Sequence, residues 1–147
     1  MIKMSSVMIR EIRPEDYYDI CLLNKELGYD YPLEKVKVRI EHIQKNTKDI
    51  IFVAQRENEV IGYIHGSPYE LLYSDSLINI LGFVVKERYR SKGVGSLLIQ
   101  HLENRAKENG FRGIRLVSGI DRTDAHRFYR KHGYLHKKDQ KNFIKYI

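Results

Sequence analysis

A cluster of basic residues and glycines lies at the start of a helical pattern in the second half of the chain. Its members, in chain order, are Lys86, Arg88, Arg90, Lys92, Gly93 and Gly95. The N-terminus of a helix carries unpaired N–H groups and a partial positive charge, and glycines let an anion approach the backbone. Flanking cations add charge of the same sign. The cluster therefore predicts a phosphate-binding loop at the start of this helix.

Two common nucleotide-binding motifs do not fit this loop. It lacks the P-loop pattern G-x-x-x-x-G-K-[ST], and Leu98 stands where the third glycine of G-x-G-x-x-G belongs. What remains is R-x-x-G-x-G, formed by Arg90, Gly93 and Gly95, after a predicted strand that ends at Val85. The same residues also suit a basic strand-to-helix turn without a ligand, so the loop alone leaves both interpretations open.

The six histidines and the single cysteine do not form the pattern of a metal site. His126 and His132 are six residues apart, which is about 240° around a helix, so they do not share a face. Cys21 lies in an apolar helical pattern that is typical of a core residue, and one cysteine cannot form an internal disulfide. We therefore expect no metal cofactor.

The composition suits one globular domain that covers residues 1–147. Hydrophobic residues make up 42% of the chain and charged residues 31%, no apolar run reaches the roughly 18 residues of a membrane span, and the N-terminus lacks a signal-peptide pattern. We therefore expect a cytoplasmic protein with no membrane partner. The net charge of +7 favours a polyanion, such as nucleic acid or a phosphorylated cofactor. The basic run at 137–141 is typical of a solvated face.

Periodicity and turn residues predict ten elements in the order β-α-α-β-β-β-α-β-α-β. They are a strand at 7–12, helices from Pro14 to Gly28 and from Pro32, a hairpin at 49–70, a strand at 76–85, a helix from Gly93 to Asn109, a strand at 113–119, a helix at 122–133 and a final strand at 134–147. The unit at 76–119 implies a right-handed crossover to a parallel partner. We expect an α/β (α+β) fold with a mixed, mostly antiparallel sheet of six to seven strands and about four helices.

Two segments of the chain resemble motifs of the GNAT family of N-acetyltransferases. The stretch VVKERYRSKGVGSLLI is similar to the acetyl-CoA-binding motif of the family, with Val85, Arg90, Gly93 and Gly95 in register. A second family motif, A-x-x-F-Y-x-x-x-G-[FY], is matched by Ala125, Phe128, Tyr129, Gly133 and Tyr134. The order of elements also matches over nearly the whole chain. The resemblance implies the GNAT fold, with a splayed pair of parallel strands.

The resemblance implies a binding site for acetyl-CoA as cosubstrate. The pantetheine arm would lie along the strand before the loop, at Phe83, Val84 and Val85. The pyrophosphate would bind at Arg90, Ser91, Lys92, Gly93, Val94, Gly95 and Ser96. Arg122 stands where many members carry an asparagine, and Ser118 is the residue expected to take up that cofactor contact.

The resemblance also assigns a general acid, Tyr129, whose phenol would give a proton to the departing thiolate. The alternative is that Tyr129 only packs, because it shares a helix face with Ala125 and Phe128. Some members supply a glutamate base from the strand before the loop, but residues 76–85 contain none. The candidates for a base are His65, Glu70 and Asp75, and a water-mediated route is an equal alternative.

The function implied is transfer of an acetyl group from acetyl-CoA to a primary amine, by direct attack in a ternary complex. The acceptor is expected to be a small cationic amine such as an aminoglycoside or polyamine, since Glu26, Asp30 and Glu34 flank Tyr29 and Tyr31. Alternatives are a protein or peptide N-acetyltransferase and a non-catalytic acyl-CoA sensor. Nucleic acid is not expected as a partner, because the loop already accounts for the first basic cluster. Family members often form homodimers, so a homodimer is also considered.

Overall fold

The computed structural model describes Lys3 and residues 6–147, which group into two units. The first unit ends at Leu116, and the second spans Val117–Ile147. The expectation of a single domain stays a prediction.

The first unit contains the sheet and three of the four α-helices. Its elements are β1 Val7–Glu11, α1 Tyr17–Glu26, α2 Leu33–Asn46, β2 Ile50–Arg56, β3 Glu59–Tyr69, β4 Leu77–Val85, α3 Val94–Glu108 and β5 Ile114–Leu116, with short 3-10 turns at Pro14–Asp16 and Glu87–Tyr89. The second unit contains α4, Thr123–Lys131. The predicted order of elements is confirmed as far as α4.

The sheet has five strands in the order β1-β2-β3-β4-β5. The first three pairs are antiparallel and β4–β5 is parallel, which confirms the mixed, mostly antiparallel sheet. The predicted count of six to seven strands was wrong, because residues 134–147 form no strand. That segment contains seven consecutive polar residues, 136–142, of types that are depleted in strands. The strand predicted at 113–119 is shorter than expected and ends at Leu116.

The two faces of the sheet carry different helices. On one face, α1 and α2 enclose a core that includes Leu23, Val36 and Ile40 together with Val53 of β2. On the other face α3 packs closely, and its Leu98, Ile99 and Leu102 are fully buried. Gly66 permits this approach, since a Cβ there would lie 2.8 Å from Ile78 Cγ2 and 2.9 Å from Leu102 Cδ1.

A β-bulge interrupts β4 where its parallel pairing ends. Ile80 pairs with Gly66 of β3 and Gly82 pairs with His65, so Leu81 is an extra residue without a partner. The parallel pairs of β4 with β5 run only from Ile78–Ile114 to Ile80–Leu116. Beyond that point β4 continues for five residues to Val85, paired with β3 alone in the described part of the first unit. The bulge therefore separates a paired half of β4 from a half with an open edge.

Candidate active site

The open half of β4 contains the three strand residues that were expected to bind the pantetheine arm. Phe83, Val84 and Val85 pair with β3 along one edge, and the pairing of β4 with β5 along the other edge ends before them, at Ile80. Val84 is only 4% exposed and belongs to the core beneath α1 and α2. Side-chain packing and backbone recognition are therefore compatible at this strand.

The turn after β4 presents backbone N–H groups at the start of α3. Ser91 has φ 61° and Gly93 has φ 95°, both in the left-handed region. The first α-helical bond of this segment runs from the N–H of Leu97 to the carbonyl of Gly93, at 3.1 Å. The amides of residues 94–96 therefore precede Leu97, the first helical donor, and this is the geometry of an anion cradle. Val94 is 1% exposed and anchors the helix start.

Two of the four predicted loop cations share an ion pair with Glu59 at the β2–β3 turn. Arg88 Nη2 lies 3.0 Å from Glu59 Oε1, and Lys86 Nζ binds Glu59 Oε2. Burial favours the protonated carboxyl, but the hydrogen bonds from Lys86 and Arg88 outweigh it and lower the pKa of Glu59. These two cations therefore stabilise the loop base, while Lys92 is exposed to solvent.

Arg90 connects the end of β4 with helix α1. Its Nε donates to the carbonyl of Val85 at 2.8 Å, and its Nη2 lies 3.3 Å from Glu26 Oε1. The same Glu26 oxygen accepts the N–H of Glu87 at 2.8 Å. Glu26 was expected to lie beside the acceptor amine. Its contact with the loop could not be foreseen, because the two segments are about 60 residues apart in sequence. Glu26 thus fixes the loop before the cradle.

Ser118, in the second unit, has an unsatisfied hydroxyl. Its Oγ is buried and has no hydrogen-bond partner among the described residues. Buried polar atoms are nearly always hydrogen-bonded, so an unpaired one indicates a missing partner. Within the first unit, the free half of β4 and the cradle suit an extended ligand that ends in a phosphate.

Tyr129 lies on α4 among aromatic side chains of the second unit. Its ring contacts Phe128 and Tyr134 edge-on, with centroid distances of 5.7 Å and 6.0 Å. Burial raises the pKa of Tyr129, although the charge of Arg122 acts in the opposite direction. The phenol is therefore protonated at neutral pH, which is the state that a general acid requires.

Of the three candidate bases, His65 has the most enclosed surroundings. His65 Nε2 lies 2.7 Å from Asp49 Oδ2, and the ring is at the wall of a 250 Å³ cavity. Glu70 is exposed and accepts a hydrogen bond from Ser76 Oγ at 2.6 Å, while Asp75 is exposed in the β3–β4 turn. Asp49 was not singled out in the sequence, where only its place just before a strand could have suggested it.

The same cavity lies between α1, α2 and the sheet, and its walls are mostly apolar. Its apolar lining is Ile12, Ile20, Val36, Ile40, Ile43 and Ile51, and its other residues are Asn24, Tyr31, Arg39, Tyr63 and His65. The Tyr63 hydroxyl donates to Asn24 Oδ1 at 2.6 Å. Burial, and secondarily the charge of Tyr29, raises the pKa of Tyr63 to about 12. Tyr29 and Tyr31 are both exposed, and of the two Tyr31 contributes to the lining of this cavity.

A larger groove of 630 Å³ lies between β1 and α3, and two of the three arginines that line it form ion pairs. Arg10 binds Asp16 through two bonds of 2.8 and 2.9 Å, and Arg105 lies 2.8 Å from Glu11. The third, Arg13, is exposed to solvent.

In Lys3 and residues 6–147, no three His, Cys, Asp or Glu side chains converge in a way that could hold a metal ion. No helix within these residues has both the length and the apolar character needed to cross a bilayer.

Comparison with known proteins identifies relatives over most of the chain. The sequence model of the Acetyltransferase (GNAT) family matches residues 7–134. The uncharacterized N-acetyltransferase YhdJ of Bacillus subtilis (strain 168) is 28% identical over 130 residues, which cover 88% of each chain. The aminoalkylphosphonate N-acetyltransferase of Salmonella typhimurium is 34% identical over 83 residues, which cover 56% of this chain and 54% of that protein.

Solved structures share the fold at lower sequence identity. AAC(6')-Iy, in complex with the bisubstrate analogue CoA-S-monomethyl-acetylneamine, superposes with a TM-score of 0.83 at 18% identity, over 96% of this chain and 99% of the other. Glucosamine-6-phosphate N-acetyltransferase from Arabidopsis thaliana gives a TM-score of 0.81 at 20% identity, over 94% and 97% of the two chains. Likeness at these identities concerns the fold of the chain.

Proposed function

This chain belongs to the acetyltransferase (GNAT) family, and from that membership we propose that it transfers an acetyl group from acetyl-CoA to a primary amine. The observation that carries the proposal is the cradle at the start of α3. Two left-handed residues, Ser91 and Gly93, turn the chain into the helix directly after the open edge of β4. An extended ligand that ends in a pyrophosphate suits a strand edge that is followed directly by an anion-binding loop.

Residues of the first unit are proposed to bind most of the cosubstrate. Phe83, Val84 and Val85 would bind the pantetheine arm through their backbone, and the pyrophosphate loop would be formed by Arg90, Ser91, Lys92, Gly93, Val94, Gly95 and Ser96. Ser118, in the second unit, is proposed to bind through its unsatisfied hydroxyl. Arg90 would act mainly by holding the loop, because its guanidinium already binds Val85 and Glu26. Acetyl-CoA supplies a thioester, whose carbonyl carbon is open to attack by an amine.

We propose direct attack in a ternary complex, with Tyr129 as the general acid. A covalent acyl-enzyme would need an accessible nucleophile. The one cysteine, Cys21, is 5% exposed in the core, and its Sγ lies 3.5 Å from the carbonyl of Tyr31. The protonated phenol of Tyr129 can give its proton to a leaving thiolate and recover one from the reaction.

The proposed acceptor is a small amine. A cavity of 250 Å³ lies slightly below the usual range of small-molecule pockets, about 300–1,000 Å³. One relative is named for aminoalkylphosphonates and a structural neighbour was solved with an acetylneamine analogue. Asp30 and Glu34 are exposed on either side of Tyr31, which favours a cationic amine.

A protein or peptide acceptor and a non-catalytic acyl-CoA sensor are the alternatives. Cytoplasmic location and a homodimer also stay proposals.

The experiment that tests the function is acetyl-CoA binding by calorimetry, followed by thiol release in the same sample. The amine panel contains an aminoglycoside, a polyamine, an aminoalkylphosphonate, amino acids and short peptides. We expect binding, and thiol release with one class of small amine. Release with peptides alone would select the protein acetyltransferase, and binding without release would favour the sensor. Absence of binding would contradict the proposed cosubstrate site.

A further inference from the structure

A carboxylate and an imidazole form a shielded pair on the sheet face that carries α1 and α2. The side chains of Asp49 and His65 are 8% and 16% exposed, and Asp49 Oδ2 lies 2.7 Å from His65 Nε2. The other carboxylate oxygen accepts the hydroxyl of Ser67 at 2.7 Å. An ionised carboxylate only accepts hydrogen bonds, so Nε2 carries a hydrogen. The Nδ1 atom of the neutral ring is therefore a proton acceptor.

This pair lies next to the bulge of β4. His65 is directly opposite Gly82, the residue after the bulge at Leu81. Neighbouring strands are about 5 Å apart, so the backbone at Gly82 is within the reach of the imidazole. The ring and hydroxyl of Tyr63 lie over Gly82, at 3.2 and 3.4 Å from the position of a Cβ there, and β4 has already lost its β5 partner at Ile80. His65 therefore lies on the strand beside the end of β4, where we place the acyl group of the proposed cosubstrate.

The other polar groups of the 250 Å³ cavity are less suited to accept a proton. The hydroxyl hydrogen of Tyr63 is donated to Asn24, and its pKa is raised to about 12 by burial. Arg39, from α2, contributes a guanidinium, which has hydrogen-bond donors and no acceptor atom. The cavity also contains Tyr31, from the loop before α2. An imidazole is the side chain that ordinarily exchanges a proton near neutral pH.

We propose that His65 is the base that takes the proton from the acceptor ammonium, and that Asp49 positions its ring; the inference rests on the proposed acetyl transfer. The ammonium gives one proton to Nδ1, which later releases it to solvent. The amine nitrogen then forms a bond to the acetyl carbon, and the carbon–sulfur bond breaks with its electron pair on sulfur. The nitrogen loses a second proton and sulfur gains one. The products are the amide, the thiol and one released proton.

Asp49 acts through His65 rather than on the acceptor. Its carboxylate holds Nε2–H and stabilises the imidazolium that forms when Nδ1 is protonated. Ser67 and the backbone N–H of Asp49, which donates to Thr47 Oγ1 at 3.0 Å, fix the carboxylate and its loop. The orientation of the His65 ring is thereby set by Asp49, which directly precedes β2, and by Ser67 of β3, which holds the Asp49 carboxylate.

The test compares two acceptors in one protein preparation. Ethylamine is protonated near neutral pH, whereas 2,2,2-trifluoroethylamine is not, because its fluorine atoms withdraw electrons from the nitrogen. We expect His65→Gln to lower kcat/KM for ethylamine by about 100-fold, and for trifluoroethylamine by no more than about threefold. The ratio of the two losses does not depend on how much of the preparation is folded. Asp49→Asn should act in the same direction, with a loss of about tenfold for ethylamine.

His42→Gln, at an exposed position of α2, is the matched control and should leave both rates unchanged. The acetyl-CoA Kd, measured by calorimetry, should be the same in all four proteins. Equal losses with both amines in His65→Gln, or no loss with either, would overturn the role of His65 and leave the acetyl transfer intact. Wild-type protein that releases no thiol with any amine would overturn the proposed function, and the role of His65 with it.

Discussion

Gly93 is the residue on which the cosubstrate assignment can be tested most directly. Its φ of 95° costs a side-chain-bearing residue about 1 to 2 kcal/mol, whatever binds nearby. We expect Gly93→Glu to raise the acetyl-CoA Kd by at least about tenfold, or about 1.4 kcal/mol, because the side chain and its charge would enter the cradle. Calorimetric titration measures the change.

Gly110 offers a matched control for this substitution. It ends α3 with φ 83°, and a Cβ there would meet no atom within 4 Å. Gly110→Glu therefore carries the same added charge and a similar backbone strain at the far end of the same helix. An equal rise in Kd in the two variants would show that general destabilisation, and not the cradle, is responsible.

Tyr129 is predicted to act on kcat alone. We expect Tyr129→Phe to lower kcat at least about tenfold, with the acetyl-CoA Kd nearly unchanged, because only the proton for the thiolate is lost. Since burial raises the pKa of Tyr129, the acid form persists as the pH rises through the ordinary phenol value of about 10. The kcat of the wild type should therefore show no alkaline loss below that pH in a pH–rate profile.

Tyr18→Phe is the control for this prediction, since Tyr18 is exposed on α1. It should have wild-type kcat. A Tyr129→Phe variant that also keeps wild-type kcat would leave that ring with a packing role among Phe128 and Tyr134.

At the level of elements, Glu59 links the β2–β3 turn to the segment that leads into the cradle. Its pKa is lowered from 4.5 by Lys86 and Arg88 against the opposing effect of burial. The ion pairs of Glu59 therefore contribute their full stabilisation at pH values above the unfolded-state pKa of this carboxyl. The stabilisation is lost as the pH falls through the lower folded-state pKa. We expect Glu59→Gln to reduce the free energy of unfolding at neutral pH by about 1 kcal/mol. Urea denaturation across the acid range measures the difference.

The exposed Glu41 of α2 provides the comparison for Glu59. Glu41→Gln should change the free energy of unfolding much less at any pH. A loss in Glu59→Gln that stays constant down to strongly acid pH would contradict the role of the ion pairs, because the neutral carboxyl cannot form them.

The elements with a strong local signal could be predicted, and those set by distant contacts could not. Helices α1 and α3 end where Gly28 and Gly110 allow positive φ, and both ends are visible in the sequence. The early end of β5 follows from the bulge at Leu81, which is defined only by the register between β3 and β4. The final apolar residues suggested a strand, but the polar run before them gives no propensity for one.

The candidate site was predictable to the extent that its residues are close in sequence. The loop from Arg90 to Gly95 is one continuous motif, so its position at the start of α3 could be foreseen. The partners Glu26 and Glu59 lie far from the loop in sequence, and only the folded chain reveals them. Asp49 and His65 likewise come together through the β2–β3 hairpin.

For the whole molecule, the prediction still to be tested is that residues 1–147 form one domain. We expect one calorimetric unfolding transition, whose van't Hoff enthalpy equals the calorimetric enthalpy, because a single domain unfolds cooperatively. Differential scanning calorimetry decides the point. Two resolved transitions would contradict the single domain and assign separate stabilities to the units divided at Leu116.

The extra residue at Leu81 changes which residue numbers share a face of β4. Before the bulge, odd-numbered Asn79 faces the opposite side of the sheet from Ile78 and Ile80, and after it, even-numbered Gly82 and Val84 face α1. A chain without Leu81 would keep every pair of β3 with β4, because Gly82 would follow Ile80 directly and still lie opposite His65. It would lose only the bulge and the bend that a bulge gives to its strand. A deletion of this single residue is therefore a way to ask what the bend contributes, since no side chain changes its face of the sheet.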